Sequence, residues 1–505
     1  GLKNLMDRAI ISRTEKEAKE HAILQNLDTS FQKIDELPFD FERRRMSVIV
    51  KDDSNVVSMV TKGALEEMLN ISTHVEYRGE VIPITEDIRQ EVLAEVGQLN
   101  RQGLRVLGVG YKSGLREDYA YAVTDESDMI LTGYLAFLDP PKPSAAPAIQ
   151  ALLEHGVKTK ILTGDNEKVT QAICEKVGLD VEHILLGAEI DQMTDQELAE
   201  VVEKVTVFAK LSPDQKARII LQLKRNGHGV GYMGDGINDA PSMKVADVGI
   251  SVDTAVDIAK ETADVILLDK DLMVLETGIV EGRKVYANMT KYIKMTVSSN
   301  FGNIFSLLVA SIFLPFLPMA PVHLIVLNLV YDLSCVALPF DNVDQDFLKQ
   351  PHTWEAKSIT RFMVWMGPIS SIFDILTFIF LYFIIVPFVT GYHYVHGSES
   401  ALQFIILFQT GWFIESMWSQ TMVIHMLRTA KVPFVQSRPA WLVIFTTLVA
   451  AFFVTSLPYG PLVNILRLAP LGLPYFLFLV GIIFLYMFSV TVIKKLYIKK
   501  YQEWL

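Results

Sequence analysis

Apolar residues are distributed unevenly along this chain. The first 290 or so residues mix charged and apolar positions, whereas long apolar runs dominate the remainder. Each run is close to the roughly 20 residues that a helix needs to cross a bilayer. The runs cover residues 296–318, 321–340, 362–387, 402–426, 440–458 and 472–493. The pattern therefore predicts an all-α bundle of six transmembrane helices within residues 291–505.

Lysine and arginine are concentrated in alternate links between these runs. The links on one side, together with the chain end, contain Lys349, Lys357, Arg361, Arg428, Lys431, Arg438, Lys494, Lys495, Lys499 and Lys500. The links on the other side contain Arg467 and no other lysine or arginine. The positive-inside rule then places residues 1–290 and the C-terminus in the cytoplasm. The lysines after residue 493 would also suit contact with acidic lipids, although the same rule explains them equally well.

Polar side chains interrupt the apolar runs at positions that suggest transport. Asparagines and carboxylates occur inside the first four runs, at Asn300, Asn303, Asn328, Asp332, Asp374 and Glu415. A carboxylate inside a membrane is costly, so it usually faces the bundle interior and serves an ion pathway. The alternative is that such groups only hold helices together by hydrogen bonds. The spacing predicts a cation path between the first two runs, with Asp374 and Glu415 as further candidates.

The chain before the apolar runs has the pattern of an α/β domain. Residues 134–280 alternate short apolar runs with helical patterns: a strand at 133–139, a helix at 144–155, a strand at 157–162, then a helix at 217–225 and a strand at 228–233. This alternation predicts a parallel sheet covered by helices on both faces. Active sites of such sheets lie at the carboxyl ends of the strands.

Three polar motifs fall at those positions. They are Thr163-Gly164-Asp165, Gly234-Asp235-Gly236-Ile237-Asn238-Asp239 and, between them, Lys216 near the start of a helix. A hydroxyl and a lysine can neutralise the oxygens of a transferring phosphoryl group, and clustered aspartates can hold the Mg²⁺ that polarises them. Thr-Gly-Asp alone is equally compatible with an ordinary strand-end turn. The ordered set of three, ahead of six apolar runs, indicates phosphoryl transfer.

Residues 1–133 have the pattern of a separate unit. It contains a β-like run at 46–60, a helix opened by Lys62-Gly63-Ala64, a helix at 86–101 and a strand at 104–111. Phe41 and the cluster Arg43-Arg44-Arg45 are able to bind a nucleotide by stacking and charge. They are equally able to form a core ring and a solvated turn, and the sequence does not decide between the two.

Composition narrows the possible partners of the chain. The net charge of −12 over 505 residues argues against a nucleic-acid partner. The two cysteines, Cys174 and Cys335, lie far apart, so no disulfide or thiolate metal site is expected. The chain opens on Gly1 without an initiator methionine or signal peptide, and we expect it to begin within a longer protein.

Taken in order, these residues resemble the P-type ATPases over essentially the whole chain. The resemblance rests on Phe41, Lys62-Gly63-Ala64, Arg105, Asp139-Pro140-Pro141-Lys142, Thr163-Gly164-Asp165, Lys216, Gly234 to Asp239, Asn300, Asn303, Asn328 and Asp332. Lys142 stands where the family has arginine. The resemblance is closer to the bacterial magnesium-importing branch in Phe39 to Val48, Phe301-Gly302-Asn303 and Pro339 to Asp344.

The resemblance implies a multidomain membrane protein with ATP and Mg²⁺ as cofactors. Its parts would be an α/β nucleotide domain at 1–133, a haloacid-dehalogenase-like phosphorylation domain at 134–290, and the six-helix bundle at 291–505. Phe41, Lys62, Gly63 and Arg105 would bind the nucleotide. Thr163, Gly164, Asp165, Lys216, Asn238 and Asp239 would be catalytic, with Asp235 and Asp239 at the catalytic Mg²⁺. Asn300, Asn303, Asn328 and Asp332 would hold the transported ion.

Several family features are absent from the sequence. It contains neither the Asp-Lys-Thr-Gly-Thr motif of the nucleophile nor Thr-Gly-Glu, and the first four membrane helices are missing. Both the nucleotide and phosphorylation domains are then incomplete, and we expect an N-terminal half to supply the remainder. We expect this chain alone to be inactive and to form no phosphoenzyme.

The expected ion is magnesium, imported across a bacterial inner membrane. One aspartate among asparagines suits a partly hydrated Mg²⁺, whereas a Ca²⁺ site would offer more carboxylates. Alternatives are a P-type pump for Ca²⁺ or H⁺ and, in another class, a membrane-tethered phosphatase or a non-catalytic sensor.

Overall fold

The computed structural model describes residues 5–19, 30–40, 43–179, 181–269, 271–398 and 400–504. The chain divides into two compact units. The first comprises Gly1–Leu153 with Lys158–Glu276, and the second comprises Glu154–Val157 with Thr277–Leu505. The finer limits expected near residues 133 and 290 remain predictions.

The first unit begins with a mainly antiparallel seven-stranded sheet. Its strands are β1 Phe31–Asp40, β2 Arg45–Asp52, β3 Val57–Ala64, β4 Ser72–Tyr77, β5 Glu80–Pro83, β6 Leu104–Ser113 and β7 Met129–Leu138, in the order β1-β2-β3-β6-β7-β4-β5. Among the described strands of this sheet, β4 and β7 pair in parallel and the other neighbours pair antiparallel. The β-like run at 46–60 is therefore two strands. They are joined by a tight turn in which Asn55 adopts a positive φ.

Helices pack beside this sheet. They are α1 Leu5–Glu17, α2 Leu65–Ile71 and α3 Glu86–Arg101. The Thr85 hydroxyl caps α3 by accepting from the Ile88 amide. The predicted helix at 86–101 and strand at 104–111 are confirmed. Lys62, Gly63 and Ala64 form the end of β3, so the following helix starts only at Leu65.

The second part of this unit contains two three-stranded parallel sheets. Their orders are β8-β10-β9 and β11-β12-β13, with β8 Ile161–Leu162, β9 Ile184–Leu186, β10 Val207–Ala209, β11 Gly231–Met233, β12 Val248–Val252 and β13 Val265–Leu267. The helices are α4 Ala145–Glu154, α5 Glu167–Lys176, α6 Gly187–Gln192, α7 Asp195–Lys204, α8 Pro213–Arg225, α9 Ala240–Val245 and α10 Asp257–Thr262. Parallel pairing is confirmed for these strands, but they form two sheets where one was expected. The strand predicted at 133–139 is not among them, because it is the end of β7 and pairs antiparallel with β6.

The predicted strand at 157–162 is wrong over most of its length. Pairing with β10 starts only at Ile161, whose amide donates to the carbonyl of Thr206, and the strand ends at Leu162. Lys160 donates its ammonium to the carbonyl of Val205 at 2.6 Å. The Val205 carbonyl is therefore bonded to the side chain of Lys160 and not to the backbone of a paired strand.

The second unit is helical. Its helices are α11 Leu272–Phe313, α12 Pro321–Cys335, α13 Gln345–Leu348, α14 Ala356–Phe380, α15 Val386–Thr390, α16 Ala401–Leu427, α17 Trp441–Ser456, α18 Val463–Leu466 and α19 Leu473–Tyr501, with a π-helical turn at Leu381–Ile385 joining α14 to α15. Among the described residues, five helical segments are long and apolar enough to cross a membrane: Leu272–Phe313, Pro321–Phe340, Ala356–Thr390, Trp441–Tyr459 and Leu473–Tyr501.

The predicted span at 402–426 is a helix, α16, but it does not reach that apolarity. Its C-terminal two thirds are buried on almost every side. Polar residues such as Glu415 and Gln420 are buried there together with Trp412 and Phe413. A helix enclosed by protein does not need an apolar surface for lipid, so it can carry polar groups that bond to its neighbours. Of the six predicted spans, α16 therefore differs from the other five in composition.

Candidate phosphoryl-transfer and cation sites

Thr163 lies at the carboxyl end of β8, within the first unit. Its amide donates to the carbonyl of Phe208 at 3.0 Å, and its carbonyl accepts from the amide of Leu211 at 3.0 Å. Its hydroxyl accepts from the amide of Asp165 at 3.1 Å and donates to that residue's carboxylate at 3.1 Å. These bonds fix the Thr-Gly-Asp turn against the end of β10.

Lys216 and Asp239 form an ion pair at the neighbouring strand end. Lys216 lies in the first turn of α8, and its ammonium lies 2.9 Å from Asp239 Oδ1. The helix starts at a Ser212 cap with Pro213 in its first turn, which fixes where Lys216 points. The Tyr232 hydroxyl donates to the same carboxylate oxygen at 2.7 Å, and the Gly236 amide donates to the other at 3.2 Å.

This environment sets the charge of Asp239. Burial alone would raise the pKa of Asp239, but the Lys216 charge and the bonds from Tyr232 and Gly236 hold it below its usual value. Burial and the adjacent Asp239 raise the pKa of Tyr232, which stays a protonated donor. Gly234 leaves the space that Asp239 occupies, since a Cβ at this position would overlap the aspartate side chain. The site therefore contains a fixed lysine–carboxylate pair.

Asp235 and Asn238 lie in the loop that follows β11. The Gly234 amide donates to Ile250 and the Gly234 carbonyl accepts from the Ser251 hydroxyl, so the strand end is attached to β12. The Asp235 carbonyl accepts from the amide of Val256 at 3.2 Å. Asn238 follows within a short 3-10 turn, Ile237–Asp239.

The donor set at this loop fits Mg²⁺. Among the described residues, no group of three or more His, Cys, Asp or Glu side chains has the arrangement of a metal site. Mg²⁺ does not require such a group, because one or two carboxylates with water and phosphate oxygens are sufficient. Asp235 and Asp239, which flank this loop, are therefore enough carboxylates for such an ion.

Arg105 joins the two parts of the first unit. It lies on β6, and its guanidinium is 2.7 Å from Asp165 Oδ2 and 3.5 Å from Asp139 Oδ2. The structure thus brings a residue expected to bind nucleotide against the Thr-Gly-Asp motif. It also brings in Asp139 of the Asp-Pro-Pro-Lys segment, for which the sequence suggested no partner.

The other residues expected to bind nucleotide are Lys62 and Gly63, at the end of β3, and Phe41. Gly63 approaches β2 so closely that a Cβ would overlap the side chain of Arg45. Lys62 forms an ion pair with Asp7 of α1. Phe41 lies outside the described residues. No described contact joins Lys62 or Gly63 to Lys216 or to Asp239.

The two parallel sheets share their core at facing edges. β8 is the edge strand of one sheet and β11 is the edge strand of the other. Leu162 of β8 and Val230, which precedes β11, each pack against both hydrophobic clusters. Among the described strands, none pairs with both sheets. Thr163-Gly164-Asp165 follows β8 and the Gly234–Asp239 motif follows β11. No described strand lies between β8 and β11 to join the two sheets by hydrogen bonds.

The second unit divides the expected ion ligands into two groups. Asn300, Asn328 and Asp332 are exposed on its surface, whereas Asn303 is half-buried and accepts from Gln420 at 3.4 Å. Tyr331, the neighbour of Asp332 in the chain, is buried. No hydrogen bond between described residues joins the α11 members of this group to the α12 members. The polar face that the sequence predicted therefore lies mostly on the outside of this unit.

Asp374 and Glu415 form the second, fully enclosed group. Their carboxyl groups interact, and both side chains are buried. Asp374 also accepts from Ser306 at 2.6 Å and from the Trp412 indole at 2.9 Å. One oxygen of Glu415 has no hydrogen-bond partner. Asn303 and its partner Gln420 line the same cavity as Asp374, so only Asn303 of the first group lies near this pair.

A third polar cluster was missed by the sequence reasoning. Asp341 accepts from Lys291 at 2.8 Å and from Arg428 at 2.7 Å, and all three side chains are at most 1% exposed. Its partners are 50 and 87 residues away along the chain, so spacing gave no signal. The only hint was that Asp341 belongs to the motif Pro339 to Asp344. Tyr232 was missed for another reason, since it reads as an ordinary strand residue.

Comparison with known proteins assigns the family. The model described as "P-type ATPase, cytoplasmic domain N" matches residues 2–144, and "Cation transporting ATPase, C-terminus" matches residues 316–496. Together the two models match well over half of the chain, which belongs to the P-type ATPases. With five apolar helices of spanning length, it is part of an integral membrane protein.

Individual relatives refine this placement. The chain is 50% identical to "Magnesium-transporting ATPase, P-type 1" of Salmonella typhimurium (strain 14028s / SGSC 2262), over 99% of this chain and 54% of that protein. It is 48% identical to the protein of the same name from Escherichia coli (strain K12), with the same coverage. It is 33% identical to "Calcium-transporting ATPase 1" of Bacillus cereus (strain ATCC 10987 / NRS 248), over 70% of this chain and 40% of that protein. The chain spans about half the length of the magnesium-transporting relatives.

Proposed function

We propose that this chain is the C-terminal part of an ATP-driven magnesium pump that works through an aspartyl-phosphate intermediate. The observation that carries the proposal is the Lys216–Asp239 ion pair beside the Asp235 loop, at the carboxyl end of a parallel sheet. Lys216 and the Thr163 hydroxyl would bind the oxygens of the transferring phosphoryl group. Asp235, supported by Asp239 and Asn238, would hold the catalytic Mg²⁺, which neutralises charge on the phosphates.

ATP would bind beside the end of β3. Phe41 would stack on the adenine, Gly63 would allow close approach of the backbone, and Lys62 and Arg105 would meet the ribose and phosphates. Arg105 supports this arrangement because it already lies 2.7 Å from Asp165, next to the phosphoryl-transfer residues. A bound triphosphate would compete with that carboxylate for the guanidinium.

The nucleophilic aspartate would come from the N-terminal half of the same pump. The open edges of β8 and β11 support this, since a strand between them would join the two three-stranded sheets. Its carboxyl end would then lie between Thr163 and the Asp235 loop. Residues 134–290 would then form part of the expected haloacid-dehalogenase-like phosphorylation domain, and residues 1–133 would form part of the nucleotide domain.

The transported Mg²⁺ would bind at Asp332, assisted by Asn300, Asn303 and Asn328. Three of these side chains are exposed on helices of membrane-spanning composition. A carboxylate facing lipid is unfavourable, so we infer that helices of the missing half cover this face and complete the site. The helix α16 would be the sixth span, so the first unit and the C-terminus would lie on the same side of the membrane. The positive-inside rule would make that side the cytoplasm, at the inner membrane of a bacterium. Transport would be inward.

The test measures uptake by the complete pump in metal-depleted vesicles, together with ATP hydrolysis. Asp332→Asn is compared with Asp346→Asn, which alters an exposed carboxylate of the short helix α13. We expect Asp332→Asn to abolish Mg²⁺ uptake and Asp346→Asn to leave it unchanged. Normal uptake by the Asp332 variant would refute the site, and uptake of Ca²⁺ or H⁺ in place of Mg²⁺ would assign the pump to another ion. Hydrolysis of ATP without any ion uptake would indicate a phosphatase, and the absence of both hydrolysis and uptake would indicate a non-catalytic sensor.

A further inference from the structure

Glu126 is a buried carboxylate in the first unit to which the proposed function gives no role. It precedes β7, and its side chain is fully enclosed. One oxygen accepts from Arg43 at 2.6 Å and from Arg45 at 2.8 Å. The other accepts from the Ser47 hydroxyl at 2.7 Å. Sequence reasoning missed this residue, because its partners lie about 80 positions earlier in the chain.

These contacts decide an open question about the basic cluster. Burial alone would raise the pKa of Glu126, but the bonds from Arg43, Ser47 and Arg45 lower it, so the carboxylate is charged. Two of the three arginines are thereby committed to Glu126, with side chains only 16% and 13% exposed. They form neither a phosphate-binding patch nor a solvated turn. Instead they attach the corner between β1 and β2 to the interior of the unit.

The same carboxylate fixes the end of β3 by two routes. Ser47, bonded to Glu126, is also bonded to the Thr61 hydroxyl at 2.8 Å, and Thr61 precedes Lys62. Arg45 is paired with Gly63 in the β2–β3 ladder, where the two backbones are too close for a side chain on the glycine. Glu126 therefore holds both strands that flank the expected ATP site.

We propose that Glu126 is a positioning residue for ATP binding. It acts through Arg45 and Ser47 to keep Lys62 and Gly63 in the geometry that receives the nucleotide, and it does not contact ATP itself. Pre-organised groups bind more tightly because less ordering remains to be done when the ligand arrives. This inference rests on the proposed nucleotide role of Lys62 and Gly63.

The test is the dissociation constant of ATP for the whole chain, measured by calorimetry. Glu126→Gln keeps the shape of the side chain and removes its charge. We expect Glu126→Gln to bind ATP about tenfold more weakly. Loss of a buried charged partner is costly, but here only the part of the cost that reaches Lys62 and Gly63 through Arg45 and Ser47 affects the ligand. The matched control is Glu117→Gln, whose exposed carboxylate pairs with Lys51 at 2.8 Å, and it should bind like the unaltered chain. Melting curves identify the temperature at which each variant is fully folded.

A double-mutant cycle separates positioning from general destabilisation. If Glu126 acts through Arg45, then Glu126→Gln should weaken ATP binding much less in an Arg45→Gln background. Ser47→Ala leaves the ion pairs in place and breaks only the hydroxyl bonds, so about threefold weakening is expected even if Glu126→Gln folds poorly. Unchanged affinity in Ser47→Ala and Glu126→Gln, or fully additive effects in the cycle, would overturn the inference and leave the pump assignment intact. An unaltered chain that binds no ATP would refute the nucleotide site and, with it, this role for Glu126.

Discussion

Replacing Asp341 by asparagine should destabilise the helical unit strongly. The carboxylate lies between Lys291 and Arg428, and its second oxygen accepts from the Ala440 amide at 3.0 Å. The substitution keeps the side-chain volume and removes the negative charge that, among the described residues, alone forms ion pairs with the two cations. Both cations then remain in an enclosed space without a counter-charge.

The expected loss follows from the burial and from the contacts that remain. Removing one partner of a buried ion pair typically costs about 3–5 kcal/mol, because the other charge is left uncompensated. Here Lys291 keeps bonds to Asn288 and to the Asn342 carbonyl, both at 2.9 Å. Arg428 likewise keeps its bond to the Asn342 carbonyl at 2.9 Å. Since these dipoles offset part of the loss, we expect a value near the lower limit, about 3 kcal/mol.

Tryptophan fluorescence can measure this change for the helical unit alone. All six tryptophans of the chain lie after residue 350, at Trp354, Trp365, Trp412, Trp418, Trp441 and Trp504. The assay titrates the detergent-solubilised chain with dodecyl sulfate and follows the emission of these residues. The control is Asp346→Asn, which removes an exposed pair with Lys431 and should not move the unfolding midpoint.

The pH dependence gives an independent check. Burial alone would raise the pKa of Asp341, but the charges of Lys291 and Arg428 hold it below its usual value. Its contribution is therefore complete above the unfolded-state pKa, about 3.9, and is lost as the pH falls through the lower folded value. The difference between the unaltered chain and Asp341→Asn should stay constant from about pH 6 to 8. A midpoint equal to that of Asp346→Asn in this range would refute the reasoning.

Two further predictions concern other sites. Gly302→Ala should destabilise the helical unit by about 1–3 kcal/mol in the same titration, because its Cβ would overlap the neighbouring helix. Gly278→Ala on the same helix meets no atom within 4 Å, and equal effects of the two would contradict this explanation. In the complete pump, Asp239→Asn should lower acid-stable phosphoenzyme formation from ATP by about a hundredfold or more, since Lys216 loses its fixed partner. Asp247→Asn, at an exposed pair, should not, and normal phosphorylation of the Asp239 variant would exclude the proposed role.

Sequence reasoning succeeded where chemistry was local. The strand-end motifs were found because Thr163, Asp165 and Gly234 to Asp239 lie within short segments, and the helix at 86–101 has a threonine cap and a clear period. Long-range partners were not predictable, because the contacts of Glu126 and Asp341 join residues about 50 to 90 positions apart. Hydrophobic pattern identifies buried positions but does not specify which charges will meet there.

The ion ligands show a second limit. Asn300, Asn328 and Asp332 were expected to face the interior of the bundle, but this unit leaves them exposed. The rule that polar groups avoid lipid applies to the assembled membrane protein rather than to one part of it. The same rule predicted that Asp374 and Glu415 face the interior of the bundle. Both are buried within this unit.

The enclosure of α16 also affects how the protein enters the membrane. A segment is inserted according to its own apolarity, and a carboxylate near the centre of a helix costs about 2.5–3.5 kcal/mol on insertion scales. With Glu415 at mid-helix and several serines and glutamines around it, α16 has less of that driving force than the five apolar helices beside it. We expect it to partition stably only once Asp374 of α14, which accepts from Ser306 of α11, is in place to contact Trp412 and Glu415 of α16. Membrane insertion of this protein would then be a cooperative event between helices and not a series of independent insertions.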